Sequence, residues 1–116
     1  MKILLINASP REGNTARRLA GLATRLSAAG LVTETLELRG QHVQACLGCY
    51  QCFLKGEERC PLRDDDAAGI WQRMEAADTV VFASPVYALA VPGQMKDLMD
   101  RLGWHAHRPS FYDKPA

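Results

Sequence analysis

Apolar and polar positions along the chain fall into segments of two different periods. Lys2 to Asn7 is a continuous Ile/Leu run closed by Ser9-Pro10, the pattern of a strand buried on both faces in a parallel sheet. From Thr15 to Ala29, Leu19, Leu22, Ala23 and Leu26 follow the i, i+3, i+4, i+7 spacing of an amphipathic helix, which Gly30 ends. Val32 to Leu38 alternates and carries β-branched residues, predicting a second strand that is exposed on one face or lies at an edge. Residues 39–65 show no clean period and predict a long inserted loop with at most a short helical turn. Asp64-Asp65-Asp66 offers helix-capping acids ahead of the stripe Ile70, Trp71, Met74 and Ala77. Thr79 to Ala83 predicts a third short, buried strand. Pro92 suits the first position of a last helix, whose stripe is Met95, Leu98, Met99 and Leu102.

The resulting order, β-α-β-loop-α-β-α, predicts an α/β fold: an open parallel sheet with right-handed crossovers and helices on both faces. The third strand is apolar through Val80, Val81, Phe82 and Ala83, the kind usually paired on both sides. Lys114-Pro115-Ala116 reads as the lead-in to a fourth strand. The expectation is therefore a single domain, residues 1–116, that is incomplete at its C-terminus. Failing that, its open edge pairs with another polypeptide and the chain is a homo-oligomer.

Composition removes several classes. With 47% hydrophobic and 23% charged residues, the chain of 116 residues is neither disordered nor collagen-like. A net charge of +1 with no basic cluster predicts no nucleic-acid partner. The uncharged run from Thr79 to Gln94 is broken by Pro85, Pro92 and Gly93, so no membrane span is expected. The apolar start, Met1 to Ile6, is too short for a signal peptide, and a cytoplasmic setting with reduced thiols follows as the expectation.

Three stretches carry candidate chemistry. Asn7-Ala8-Ser9-Pro10-Arg11-Glu12-Gly13-Asn14-Thr15 joins the first strand to the first helix. A helix N-terminus behind small and hydroxyl residues is a ready anion site, with Ser9, Asn14 and Thr15 as added donors and Arg11 as a cation. The alternative is a plain capped helix with Asn14 as N-cap. No G-x-G-x-x-G or G-x-x-x-x-G-K-[ST] occurs, so neither of those nucleotide motifs is signalled. Ser84-Pro85-Val86-Tyr87-Ala88 stands at the carboxyl end of the third strand, where open α/β sheets bind ligands. A rigid Pro loop followed by an aromatic can lie flat against a planar heterocycle; equally, Tyr87 can simply cover the core.

Cys46, Cys49, Cys52 and Cys60 are spaced C-x2-C-x2-C-x7-C within one window. Such a run can wrap a cubane iron–sulfur cluster, and four thiolates also suit tetrahedral zinc; metal-free thiols are the third reading. His42, His105 and His107 form no recognisable triad and are expected to be solvated or locally hydrogen-bonded. Asp100 and Arg101 are expected to pair with each other near the end of the last helix. Trp71, Met95 and Met99 are expected in the core.

Taken together, Ser9-Pro10-Arg11-x-Gly13-Asn14-Thr15, Cys46-x-Gly48-Cys49, Asp64-Asp65, Ser84-Pro85-Val86-Tyr87 and Gln94-Met95-Lys96-x-x-x-Asp100-Arg101 resemble the flavodoxin-like NADPH-dependent FMN reductase family. The similarity is greatest to its iron–sulfur flavoprotein branch and covers nearly the whole chain. The resemblance implies strand order 2-1-3-4-5, of which three strands fall within this chain, with FMN at the switch between the first and third. It implies that Ser9, Arg11, Asn14, Thr15 and the Ala16 backbone hold the FMN phosphate. Pro85, Val86, Tyr87 and Ala88 would line the isoalloxazine, and the four cysteines would ligate a [4Fe–4S] cluster near the flavin. The implied activity is FMN-dependent oxidoreduction, from NAD(P)H or a protein donor to a small-molecule or protein acceptor, with no catalytic side chain. The alternatives are a non-enzymatic electron carrier and an inactive domain fragment.

Overall fold

The computed structural model of the chain describes residues 1–106. Three parallel strands, β1 (Lys2–Asn7), β2 (Val32–Glu37) and β3 (Thr79–Ala83), form a sheet in the order β2-β1-β3. Lys2 faces Val32 on one side of β1, and Ile3 faces Thr79 on the other. This is the order implied for the first three strands. The helices are α1 (Asn14–Ala28), α2 (Gln51–Lys55), α3 (Ala67–Ala76) and α4 (Gly93–Arg101), with 3₁₀ turns at Leu38–Gly40, Glu57–Arg59 and Gly103–Ala106.

The Ile/Leu run of β1 reads as central because it has to satisfy two cores. Ile3 and Leu5 point to one face, where Leu19 of α1 meets them with Ala23, Leu26 and Val81 packed around. Leu4 and Ile6 point to the other, among Ile70, Trp71 and Met74 of α3 and Met95 and Leu98 of α4. Helices thus cover both faces, as the crossover order requires. α1 stops where Gly30 takes φ +82, and the N–H groups of Gly30 and Leu31 turn back to Ser27 and Leu26. β2 is an edge strand, mostly half-exposed, as its alternation predicts.

Several expectations are corrected. Leu22 and Met99 lie at the borders of their helical stripes and are exposed. Pro92 is the N-cap of α4 and not its first residue. Asn14 is the first residue of α1, Gly13 its N-cap without a side-chain cap, and Asn14 Oδ1 accepts from Arg17. β3 is only half-buried, with Phe82 46% exposed, because no strand pairs its outer edge among the described residues. His107 and Lys114-Pro115-Ala116 lie outside the described residues. Among the described residues, no helix is long and apolar enough to cross a membrane.

Candidate functional site

β1 hands the chain to β2 on one side, and β3 lies on the other, so the connections leaving β1 and β3 part at the carboxyl edge, where open α/β sheets place their ligands. The N–H of Ala8 donates to the Ala83 carbonyl at 2.8 Å and ties the two exits together. Asn7 is fully buried and makes the turn out of β1. Its Oδ1 accepts the Ser9 N–H at 3.0 Å, and its Nδ2 donates to Glu37 at 2.9 Å. Arg39 then bridges Glu37 and Glu12, bracing the β1–α1 loop from the end of β2. One of its nitrogens, Nη1, is buried with no hydrogen-bond partner among the described residues.

Ser9 is buried, and its hydroxyl donates to the Arg11 carbonyl at 2.8 Å. It shapes the loop and is not an open donor. Arg11 is exposed and Thr15 half-buried in the first turn of α1. The N–H groups of Asn14, Thr15 and Ala16 have no acceptor within the helix, and no side chain caps them. The dipole adds positive potential at the same end, so this loop can hold an anion.

Beyond β3 the chain forms a tight hairpin. The N–H of Tyr87 donates to Ala90 at 2.8 Å, and that of Ala90 donates back at 2.9 Å. Ala88 at φ +47 and Leu89 at φ +63 form its tip, a left-handed pair that costs about 1–2 kcal/mol per residue. Such strain concentrates at ligand sites. Val86, Tyr87 and Leu89 are all exposed, presenting an apolar, aromatic platform. Nothing in Ala88-Leu89 announces a left-handed turn, so Leu89 was invisible to pattern.

The cysteine loop is pinned at its base. His42 and Asp66 exchange backbone contacts, His42 N–H to Asp66 Oδ2 at 2.6 Å and Asp66 N–H to the His42 carbonyl at 2.8 Å. Asp65 accepts from the N–H of Gln44 at 2.9 Å and of Ala67 at 3.2 Å, so Asp65 rather than Asp66 satisfies the start of α3. Left-handed Gly48 and Tyr50 then wind the chain into α2. Cys46 and Cys49 are exposed, Cys52 and Cys60 half-buried, and all four are free thiols. They line one cavity of about 840 Å³, walled opposite by α3 and the end of α4. Burial pushes the Cys52 thiol up, with charge at Cys60 and Cys46 adding to it. The Gly48 N–H donates to Cys46 Sγ at 3.4 Å. The four sulfurs share the cavity without converging: among the described residues no three His, Cys, Asp or Glu side chains stand close enough to hold one metal ion. As a donor set they suit a cluster, and the loop would have to close around it. None of Ser9–Ala16 or Pro85–Ala88 lines this cavity.

Two of its wall residues depart from expectation. Arg101 pairs with Asp65, whereas Asp100 pairs with Lys96 on the solvent side. Burial opposes the charge of Asp65, but the bonds from Arg101, Gln44 and Ala67 outweigh it and hold the carboxyl below its usual range. The same ion pair raises Arg101 against its own burial. His105 is buried against the rings of Trp71 and Trp104, with Nε2 unpartnered among the described residues. Burial lowers it to about 4, Glu75 pulling weakly the other way. The i, i+7 spacing of Gln94 and Arg101 was the available sign that both face inward. Arg39 had no local signal, since only the sheet brings it beside the first loop.

The sequence profile described as NADPH-dependent FMN reductase matches residues 1–116. An iron-sulfur flavoprotein of Archaeoglobus fulgidus is 36% identical over 115 residues, covering 98% of this chain and 51% of that protein. One from Methanocaldococcus jannaschii is 38% identical over 102 residues, covering 87% and 51%. The chain spans about half the length of the curated relatives it matches. Among solved structures, an NAD(P)H:quinone oxidoreductase from Methanothermobacter marburgensis superposes with TM-score 0.70 at 24% identity, covering 88% of this chain and 53% of that one. A flavone reductase gives 0.69 at 22%, covering 89% and 30%.

Proposed function

The chain belongs to the NADPH-dependent FMN reductase family, and on that premise we propose that it is the FMN-binding part of an oxidoreductase. It would move electrons from NAD(P)H or a protein donor to a small-molecule or protein acceptor in the cytoplasm. The observation that carries this reading is that two loops leave adjacent strands at the carboxyl edge, where the strand order reverses. An uncapped helix start beside Arg11 lies at one exit, and an exposed aromatic hairpin at the other. The N–H groups of Asn14, Thr15 and Ala16, the Thr15 hydroxyl and Arg11 would hold the FMN phosphate. Ser9 contributes by fixing the Arg11 carbonyl and hence the course of the loop. Pro85, Val86, Tyr87 and Ala88 would seat the ring and exclude water from one face. Cys46, Cys49, Cys52 and Cys60 would ligate a [4Fe–4S] cluster.

When bound, these two groups supply one- and two-electron transfer. The side chains bind, orient and tune; none needs to act as nucleophile or acid. The outer edge of β3, unpaired among the described residues, supports a homo-oligomer, which sedimentation of the chain would distinguish from a stable monomer.

The test is anaerobic reconstitution with FMN, iron and sulfide. A flavin spectrum with a broad iron–sulfur shoulder, bleached by NAD(P)H, is the expected result. Bound flavin that no reduced nicotinamide bleaches would leave an electron carrier. Bound flavin with no more than trace iron or sulfide would leave thiols in place of a cluster.

A further inference from the structure

We propose that Arg101, anchored by Asp65, is a positioning residue for the cysteine loop: it fixes both ends of the segment that carries the four thiols. Arg101 and Asp65 side chains are 6% and 1% exposed. The guanidinium donates through Nη1 to the Gln44 carbonyl at 3.2 Å and through Nη2 to the Leu62 carbonyl at 2.6 Å. Asp65, gripped by the same fork, takes the Gln44 N–H at 2.9 Å. Gln44 stands two residues before Cys46, and Leu62 two residues after Cys60. One buried ion pair therefore holds both backbone groups of Gln44 and the carbonyl of Leu62. Gln94, two turns earlier on α4, donates to the carbonyls of Leu38 and Gln41 and secures the approach to the loop.

The physical consequence follows from loop closure. With both ends pinned, the movement that brings the sulfurs together is confined to the residues between Gln44 and Leu62. Ordering entropy that ligation would otherwise have to overcome is already spent in folding. A lysine keeps the charge but cannot span three acceptors, since only the planar fork reaches them together.

The metal arm of this inference rests on the reading of the cysteines as ligands; the loop arm does not. The experiment uses the full chain, R101K, and D97N as a control on α4, since Asp97 does not line the cysteine cavity. Three measurements are made: the rate of iodoacetamide labelling at Cys60, the affinity for Co(II) followed by its thiolate charge-transfer band, and amide exchange of Ile3 to Ile6. R101K is expected to label Cys60 about tenfold faster, because two backbone hydrogen bonds of the loop ends are lost. Its Co(II) affinity is expected to fall about 10–100-fold, as for other residues that orient ligands without touching the metal. D97N should match the wild type, and the β1 amides should keep their protection in both variants. Unchanged labelling and Co(II) affinity in R101K would overturn the inference, as would loss of β1 protection in step with them. If the wild type shows no Co(II) thiolate band while R101K still labels faster, the ligand reading fails and the positioning role stands.

Discussion

Replacing Asp65 by Ala tests how much of the stability sits in the Asp65–Arg101 pair. The substitution removes acceptors for the Gln44 and Ala67 N–H groups and leaves the buried Arg101 charge without its carboxylate. Breaking a buried pair by deleting one partner costs about 3–5 kcal/mol, chiefly through the stranded charge. The chain supplies its own contrast in Lys96 and Asp100, an i,i+4 pair whose side chains are 59% and 46% exposed. Asp100→Ala should cost only about 0.3–0.5 kcal/mol, because solvent already screens that pair. Urea unfolding followed by fluorescence of Trp71 and Trp104 measures both. The sign with pH is also determined. The folded pKa of Asp65 lies below its unfolded value, so its contribution is complete above the unfolded pKa of about 4 and is lost as pH falls through the folded one. The gap between wild type and Asp65→Ala should therefore close in acid and be constant from pH 5 upward. A gap under about 1 kcal/mol at pH 7, or one equal to that of Asp100→Ala, would refute the reasoning.

Leu5→Ala should cost about 2–5 kcal/mol in the same urea assay, since Leu5 is fully buried between the sheet and α1. Thr15→Val should weaken FMN by about 1–3 kcal/mol through loss of a hydroxyl donor to a charged group, and unaltered affinity in a flavin titration would count against the phosphate site. The His105 ring should titrate near pH 4 by NMR. Its folded pKa lies below the unfolded value of about 6.5, so its share of stability is lost as pH falls between the two, and a midpoint of 6 or above would contradict its burial.

The sequence by itself determined the strands, the main helices and the parallel α/β class, while the sheet order came only from the family resemblance. A six-residue Ile/Leu run is buried on both faces, and helical stripes between parallel-type strands leave one handed way to cross over. It also marked the candidate anion loop and the thiols, because both are local runs whose chemistry depends on neighbours in the chain. What it could not determine were pairings between distant segments. Arg101 stands beside Asp100 in sequence but turns to Asp65, because successive residues on a helix point about 100° apart and only the inward one meets the loop. Met99, at the edge of its stripe, turned outward for the same reason. His105 became a buried base only where α3 and the turn after α4 bring Trp71 and Trp104 against it. The left-handed tip at Ala88-Leu89 is likewise imposed by the bonds between Tyr87 and Ala90, against the residues' own preference. Burial and long-range hydrogen bonds are properties of the assembled layers, and only those layers decided which polar side chains lock the loops in place.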